Sequence, residues 1–279
     1  MKNQEQIIQD PPIQDQNKYL NSLRNTFIDK AFFVEKLPDY IDTIIDYGCA
    51  DGSFLKFLKN IYGNKFLYFG VERDPKMIEL AKENHINVCV DLKRLPFTAD
   101  FNRVCINFSS SLHEIFCGNH DVREQLTFNL INSWKPAVIS IRDMYVTVNQ
   151  SITDFSQNKF CLECLQCLAK ELPLKTSDFL KCYDLNTPVQ CMHFLLKYMY
   201  DENWERECKE NYLSFTQYSN GLRDKLCKYY DLKWELEYNL PYLLSKWEED
   251  ELLTEYTRDF IKKYITTHTQ LVYIMNKRS

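Results

Sequence analysis

The chain has 279 residues, 45% of them hydrophobic and 14% aromatic, enough for one large folded core or a domain carrying an insertion. Its formal charge of −5 describes an ordinary acidic surface and argues against broad nucleic-acid binding, which needs a concentrated basic face. No apolar run reaches the ~20 residues of a membrane span. The polar opening Met1–Gln6 and eleven unevenly spaced cysteines predict reduced thiols in a cytoplasmic protein.

Residues 1 to 17, rich in Gln, Asn and Asp with a Pro11-Pro12 break, read as a loose arm. From Tyr19 to Leu37 the apolar positions Tyr19, Leu20, Leu23, Phe27, Ile28, Ala31, Phe32 and Val34 follow helical spacing. A strand is predicted over 41–46, and it runs into Asp46 and then small residues at alternate positions, Gly48, Ala50 and Gly52. A helix over 53–62 follows at once. A strand turning sharply into a helix gathers backbone amides around a ligand, and small side chains let that ligand approach the main chain.

A second strand, 66–71, ends in Glu72, 20 residues after Gly52. An acid at that tip is where a Rossmann-like fold grips ribose hydroxyls. The glycine spacing is not that of the dinucleotide fingerprint, which disfavours a nicotinamide dehydrogenase. A helix over 75–84, a short strand (87–90), strand four (103–108), a helix over 121–133 and strand five (137–141) complete the alternation. That rhythm predicts a parallel sheet covered on both faces, with the ligand at the carboxyl ends of the strands. After strand five the rhythm breaks. Helical stretches at 159–171, 189–199 and 202–213 are too much chain for a crossover and read as a helical insertion. Strand character returns at 233–238 and 267–275.

The turn after strand one, Glu72 with Arg73-Asp74-Pro75-Lys76-Met77 behind it, and Val90-Asp91-Leu92-Lys93-Arg94-Leu95-Pro96-Phe97 together resemble the class I S-adenosylmethionine-dependent methyltransferases. The resemblance spans roughly residues 40 to 145. It implies an α/β fold: a doubly wound, mostly parallel seven-stranded sheet with an antiparallel last strand and a helical insertion after strand five. It also implies an N-terminal arm and lid helix over 1–40, a cofactor-binding core over 41–146, an acceptor-side helical insertion over 147–231, and two closing strands over 232–279. The cofactor would be S-adenosyl-L-methionine. Asp46 would face its ammonium, the main chain of Gly48, Ala50 and Gly52 would approach it, and Glu72 would grip the ribose. Asp91 would receive the adenine amino group with Leu92 against the ring, Arg73 and Ser109 completing the set. The plain alternative is a strand-to-helix turn flanked by solvated acids.

A base is needed only where the acceptor holds its proton tightly. Ser109-Ser110-Ser111-Leu112-His113-Glu114 follows strand four, and His113 suits that role with Glu114 orienting it. His113 equally suits capping or packing. Asp143, placed just past strand five, is a second candidate base or else half of an ion pair, and Tyr145 either lines the acceptor pocket or packs. Cys161, Cys164 and Cys167 lie at helical spacing and read as core, since a second CxxC and a histidine at zinc-finger spacing are both missing; the alternative is a metal site completed by Cys182, Cys191 and His193. The aromatic stretch from His193 to Arg206 reads as helix packing or as acceptor-pocket lining.

Asn107-Phe108-Ser109-Ser110 lacks the prolines of base-amino methylation, and no Pro-Cys dipeptide offers the nucleophile of cytosine-carbon methylation. The acceptor expected is the oxygen or nitrogen of a small molecule. RNA methylation and a catalytically silent, partner-binding subunit are the alternatives.

Overall fold

In the computed structural model, the structure describes residues 20–21, 24–95, 100–115, 120–149, 151–181, 183–198, 204 and 215–276. Seven strands form one sheet: β1 (Thr43–Tyr47), β2 (Leu67–Val71), β3 (Asn87–Cys89), β4 (Val104–Ser109), β5 (Val138–Val148), β6 (Tyr230–Tyr238) and β7 (Ile265–Met275). Their order is β3-β2-β1-β4-β5-β7-β6. Pairing is parallel from β3 through β5, and β7 runs antiparallel to both β5 and β6.

Side chains alternate between the two faces of each strand, so consecutive residues enter different cores. Ile44, Tyr68, Cys105, Val138 and Val272 pack on one face with Phe33 and Val34 and with α2 (Ser53–Tyr62). Ile45, Phe69, Ile106, Ile139 and Leu271 pack on the other. There the core continues without a break into α6 (Asp154–Glu171), α7 (Pro173–Leu180), α8 (Pro188–Lys197), α10 (Pro241–Glu249) and α11 (Glu255–Tyr264). Phe160 stacks on Phe260 with centroids 4.3 Å apart, and Trp247 Nε1 donates to the Leu195 carbonyl at 3.3 Å. The remaining helices are α1 (Phe27–Lys30), α3 (Pro75–Glu83), α4 (Leu112–Ile115), α5 (His120–Trp134) and α9 (Phe215–Leu226). Asp74 caps α3 by accepting from the Lys76 amide, with Pro75 opening the first turn.

Several expectations shift. The N-terminal helical segment is α1 followed by a 3₁₀ stretch, Ala31–Lys36. Ile28, placed inward by spacing, is 84% exposed, whereas Lys30 is only 6% exposed and Phe33 is fully buried. Strand five extends through Val148, so Asp143 and Tyr145 lie within it and not beyond it. Pairing with β7 holds these extra residues in strand form, with a bulge between Met144 and Thr147. Two helices, α10 and α11, stand between the closing strands. The arm, Pro96-Phe97 of the third motif, Cys182 and, apart from Trp204, the 202–213 helix lie outside the described residues.

Candidate functional site

The strand order reverses between β1 and β4, which opens a crevice at their carboxyl ends. Register sets Asp46 beside Asn107 across this gap, and Asn107 Nδ2 donates to Asp46 Oδ1 at 2.7 Å. Burial pushes the Asp46 carboxyl up to about 7, against this hydrogen bond and the positive charge of Lys30. Asn107 Oδ1, Ser109 Oγ and Ser111 Oγ are buried and meet no protein hydrogen-bond partner. Such atoms in a crevice are ready to engage a polar ligand.

The turn after β1 is held in a conformation that its side chains would not choose. Gly48 has φ 84°, and a Cβ there would stand 2.8 Å from that of Ser111, so only glycine lets the turn approach the β4 loop. Ala50 also has positive φ, 47°. Glu72 stabilises that strain: Oε2 accepts from the Ala50 amide at 2.9 Å, while Oε1 accepts from the Arg73 and Asp74 amides at 2.8 and 3.0 Å. A carboxylate has about four acceptor positions, so three are already in use and a ligand diol has to displace one amide. Gly52, also at positive φ, is closely packed: a Cβ there would meet Ile86 and Ala81 at 3.0 and 3.2 Å. Arg73 is exposed. Asp91 caps the following 3₁₀ turn by accepting from the Lys93 amide, and Leu92 is buried in the core. Tyr47, 5.2 Å from the Phe108 ring, gives the crevice an aromatic wall.

Across β4, His113 and Asp143 meet. Asp143 is fully buried, and its Oδ1 lies 2.6 Å from His113 Nδ1. It also accepts from the Leu112, His113 and Met144 amides at 2.8, 3.3 and 2.7 Å. Both Asp143 oxygens are thus engaged by protein donors. The carboxylate on His113 Nδ1 is Asp143, not Glu114 as chain proximity suggested. A carboxylate on Nδ1 fixes the proton there and makes Nε2 the basic atom. His268, the other buried imidazole nearby, is held well below the ordinary range by burial, by Arg142 and by His113.

Side chains not singled out in the sequence close the site. Arg142, 2% exposed, pairs with Asp29 of α1 through Nε and Nη2, both at 2.7 Å, and donates to Ser110 Oγ at 2.7 Å. Tyr238 and Gln270 donate to Asp29 as well, at 2.7 and 3.0 Å. This network fastens α1 to β5, β6 and β7 through Asp29. Asn107, a lone amide in Val104-Cys105-Ile106-Asn107-Phe108, was the one signal visible beforehand: an unexplained polar residue in an apolar strand. Elsewhere, Cys161 and Cys164 are buried and the Cys161 thiol is raised by hydrogen bonding to Cys191 and by burial. Among the described residues no group of three or more His, Cys, Asp or Glu is placed to hold a metal, and no helix is long and apolar enough to cross a membrane. Phe194 and Tyr198 are packed in the core.

A mostly parallel seven-stranded sheet in this order, with β7 reversed, is the Rossmann-like sheet of class I methyltransferases, the class that the sequence motifs resemble. Among solved structures, the chain is similar to the plantazolicin methyltransferase BpumL in complex with SAH: 13% identity, 94% of this chain and 91% of that one covered, TM-score 0.46. It is similar to the MccD protein, with 11% identity, coverage of 90% and 96%, and TM-score 0.42. A third is the geranyl diphosphate C-methyltransferase from Streptomyces coelicolor A3(2), with 11% identity, coverage of 92% and 77%, and TM-score 0.44. No family model and no curated protein matches the chain. At these identities and scores the matches carry no weight for what this chain binds, which rests on its own residues.

Proposed function

We propose that the protein is an S-adenosyl-L-methionine-dependent methyltransferase acting on an oxygen or nitrogen of a small acceptor. The carrying observation is the crevice at the β1–β4 reversal. It brings a buried acid, an amide-binding Glu72 and three unpartnered polar atoms to one side, and an oriented imidazole to the other. The residues present fit the cofactor. Asp46 would favour its ammonium, Glu72 would accept from the ribose, Asp91 and Leu92 would meet the adenine, and Gly48, Ala50, Gly52, Arg73 and Ser109 would complete the cradle. When bound, the cofactor supplies a methyl group on an activated sulfonium.

The protein's own task is then alignment, exclusion of water and removal of one proton. His113 Nε2 accepts the proton of the acceptor hydroxyl or amine, and Asp143 stabilises the imidazolium that forms. A pair devoted to proton removal favours an acceptor whose proton is held at neutral pH, such as a hydroxyl. The helices over 147–231 lie on the acceptor side in this reading. Calorimetric titration with S-adenosylhomocysteine tests it: micromolar binding is expected, and Glu72→Ala should weaken it at least tenfold, ~1.4 kcal/mol. Absence of binding at high micromolar concentration would return the protein to the silent-subunit reading.

A further inference from the structure

Arg142 and Asp143 are neighbours on β5, so their side chains leave opposite faces of the sheet. Both nevertheless reach the same turn, residues 110–113, which joins β4 to α4. Asp143 holds its far end, accepting from the Leu112 and His113 amides and meeting His113 Nδ1. Arg142 holds its near end: Nη1 donates to Ser110 Oγ at 2.7 Å, and the Arg142 carbonyl accepts from the Ser110 amide, also at 2.7 Å.

Ser110 is where the turn needs holding. Its φ is 57°, in the left-handed region, where a serine persists only if surrounding contacts impose it. The next residue, Ser111, abuts Gly48 so closely that a Cβ on the glycine would stand 2.8 Å from its own. The guanidinium that anchors Ser110 is itself fixed. Arg142 is buried, and Asp29 engages its Nε and Nη2, which leaves Nη1 aimed at Ser110. A planar fork gripped along one edge has little freedom over where its other edge points. Asp29 is held in turn by Tyr238 of β6 and Gln270 of β7. Contacts therefore run unbroken from α1 to the turn that carries His113.

We infer that Arg142 is a positioning residue for His113, acting through Ser110, and that Asp29 couples the docking of α1 to the geometry of the His113–Asp143 pair. Its use in methyl transfer rests on the reading of His113 as the base, but the link itself needs neither cofactor nor acceptor. Without the Ser110 anchor the turn relaxes out of the left-handed region and the Leu112 and His113 amides leave Asp143. The imidazole then loses the carboxylate that fixes its proton on Nδ1.

The test reads the imidazole directly, in full-length protein with isotope-labelled histidine rings. Long-range proton–nitrogen correlation spectra separate the Nδ1–H and Nε2–H tautomers, and a His113→Gln spectrum shows which of the five histidines is His113. Wild type should hold His113 as Nδ1–H. Ser110→Ala keeps the Arg142–Asp29 pair and should lower the ratio of Nδ1–H to Nε2–H about tenfold, as expected for loss of one charge-assisted hydrogen bond. Asp29→Ala should shift the ratio in the same direction; if it fails to fold, Asp29→Asn is read. A Ser110→Ala protein that melts lower yet keeps the wild-type ratio overturns the inference, because the contact is then structural only. A shift in Ser110→Ala with none in the Asp29 variant overturns the coupling to α1. S-adenosylhomocysteine is titrated into the same samples. Tautomer shifts as expected, with no binding by wild type, would defeat the cofactor reading and leave the positioning link standing.

Discussion

The two walls of the crevice are built on different principles. The wall at β1 and β2 is mainly backbone: Gly48, strained Ala50 and the amides gathered by Glu72. The wall at β4, β5 and β7 is side chain: His113 on Asp143, and Asp29 with Arg142, Tyr238 and Gln270. Backbone walls admit a ligand closely and tolerate little else, while side-chain walls can be retuned one residue at a time. Under the proposed function, cofactor binding rests on the first wall and acceptor chemistry on the second, so substitutions should separate the two.

The largest separation is expected at His113. His113→Ala should lower kcat about a thousandfold, ~4 kcal/mol, while leaving S-adenosylhomocysteine affinity near wild type. An unaltered pH–rate profile would make His113 a packing residue. Next comes the fastening of α1. Asp29→Ala leaves Arg142 buried without its counter-charge, and a loss of about 3 kcal/mol is expected in denaturant unfolding. A loss below 1 kcal/mol, ~5-fold in the unfolding constant, would show that apolar packing alone holds the helix.

The smallest effect is expected at Asp46. Its acid is raised in the folded protein from 3.8 to about 7, so between those values the folded state holds a proton that the unfolded chain has released. Its contribution to stability is therefore full below pH 3.8 and lost as pH rises through about 7. Asp46→Asn should remove that part of the slope and raise stability at pH 8 by about 1 kcal/mol, because losing a counter-charge to Lys30 offsets part of the gain. A stability–pH curve parallel to wild type between pH 4 and 7 contradicts this account. Ligand affinity should fall in the same variant, so stability and binding move in opposite directions.

The backbone wall was legible because its parts are contiguous: strand, acid, alternating small residues and helix fall within Ile41–Tyr62, and Glu72 follows at one crossover. The side-chain wall was only half legible. His113 and Asp143 could be named, each from its place at the end of a strand, but their contact spans 30 residues and was assigned to Glu114 instead. Asp29 meets its partners across 113, 209 and 241 residues, and no local pattern encodes such pairs. Ile28 is exposed and Lys30 buried within α1, where Asp29 between them is tied to Arg142, Tyr238 and Gln270, long-range contacts that periodicity does not carry.

From its sequence alone, this protein's sheet, its crossovers and its ligand-facing turn could be written down, because periodicity and glycine placement act over a few residues. Which charges face one another in the crevice was decided only by the closed sheet. Strand register set Asp46 against Asn107, and the reversed β7 with edge strand β6 brought Gln270 and Tyr238 to Asp29 on α1. Electrostatic partners are chosen by distance in space, and only the folded chain defines that distance.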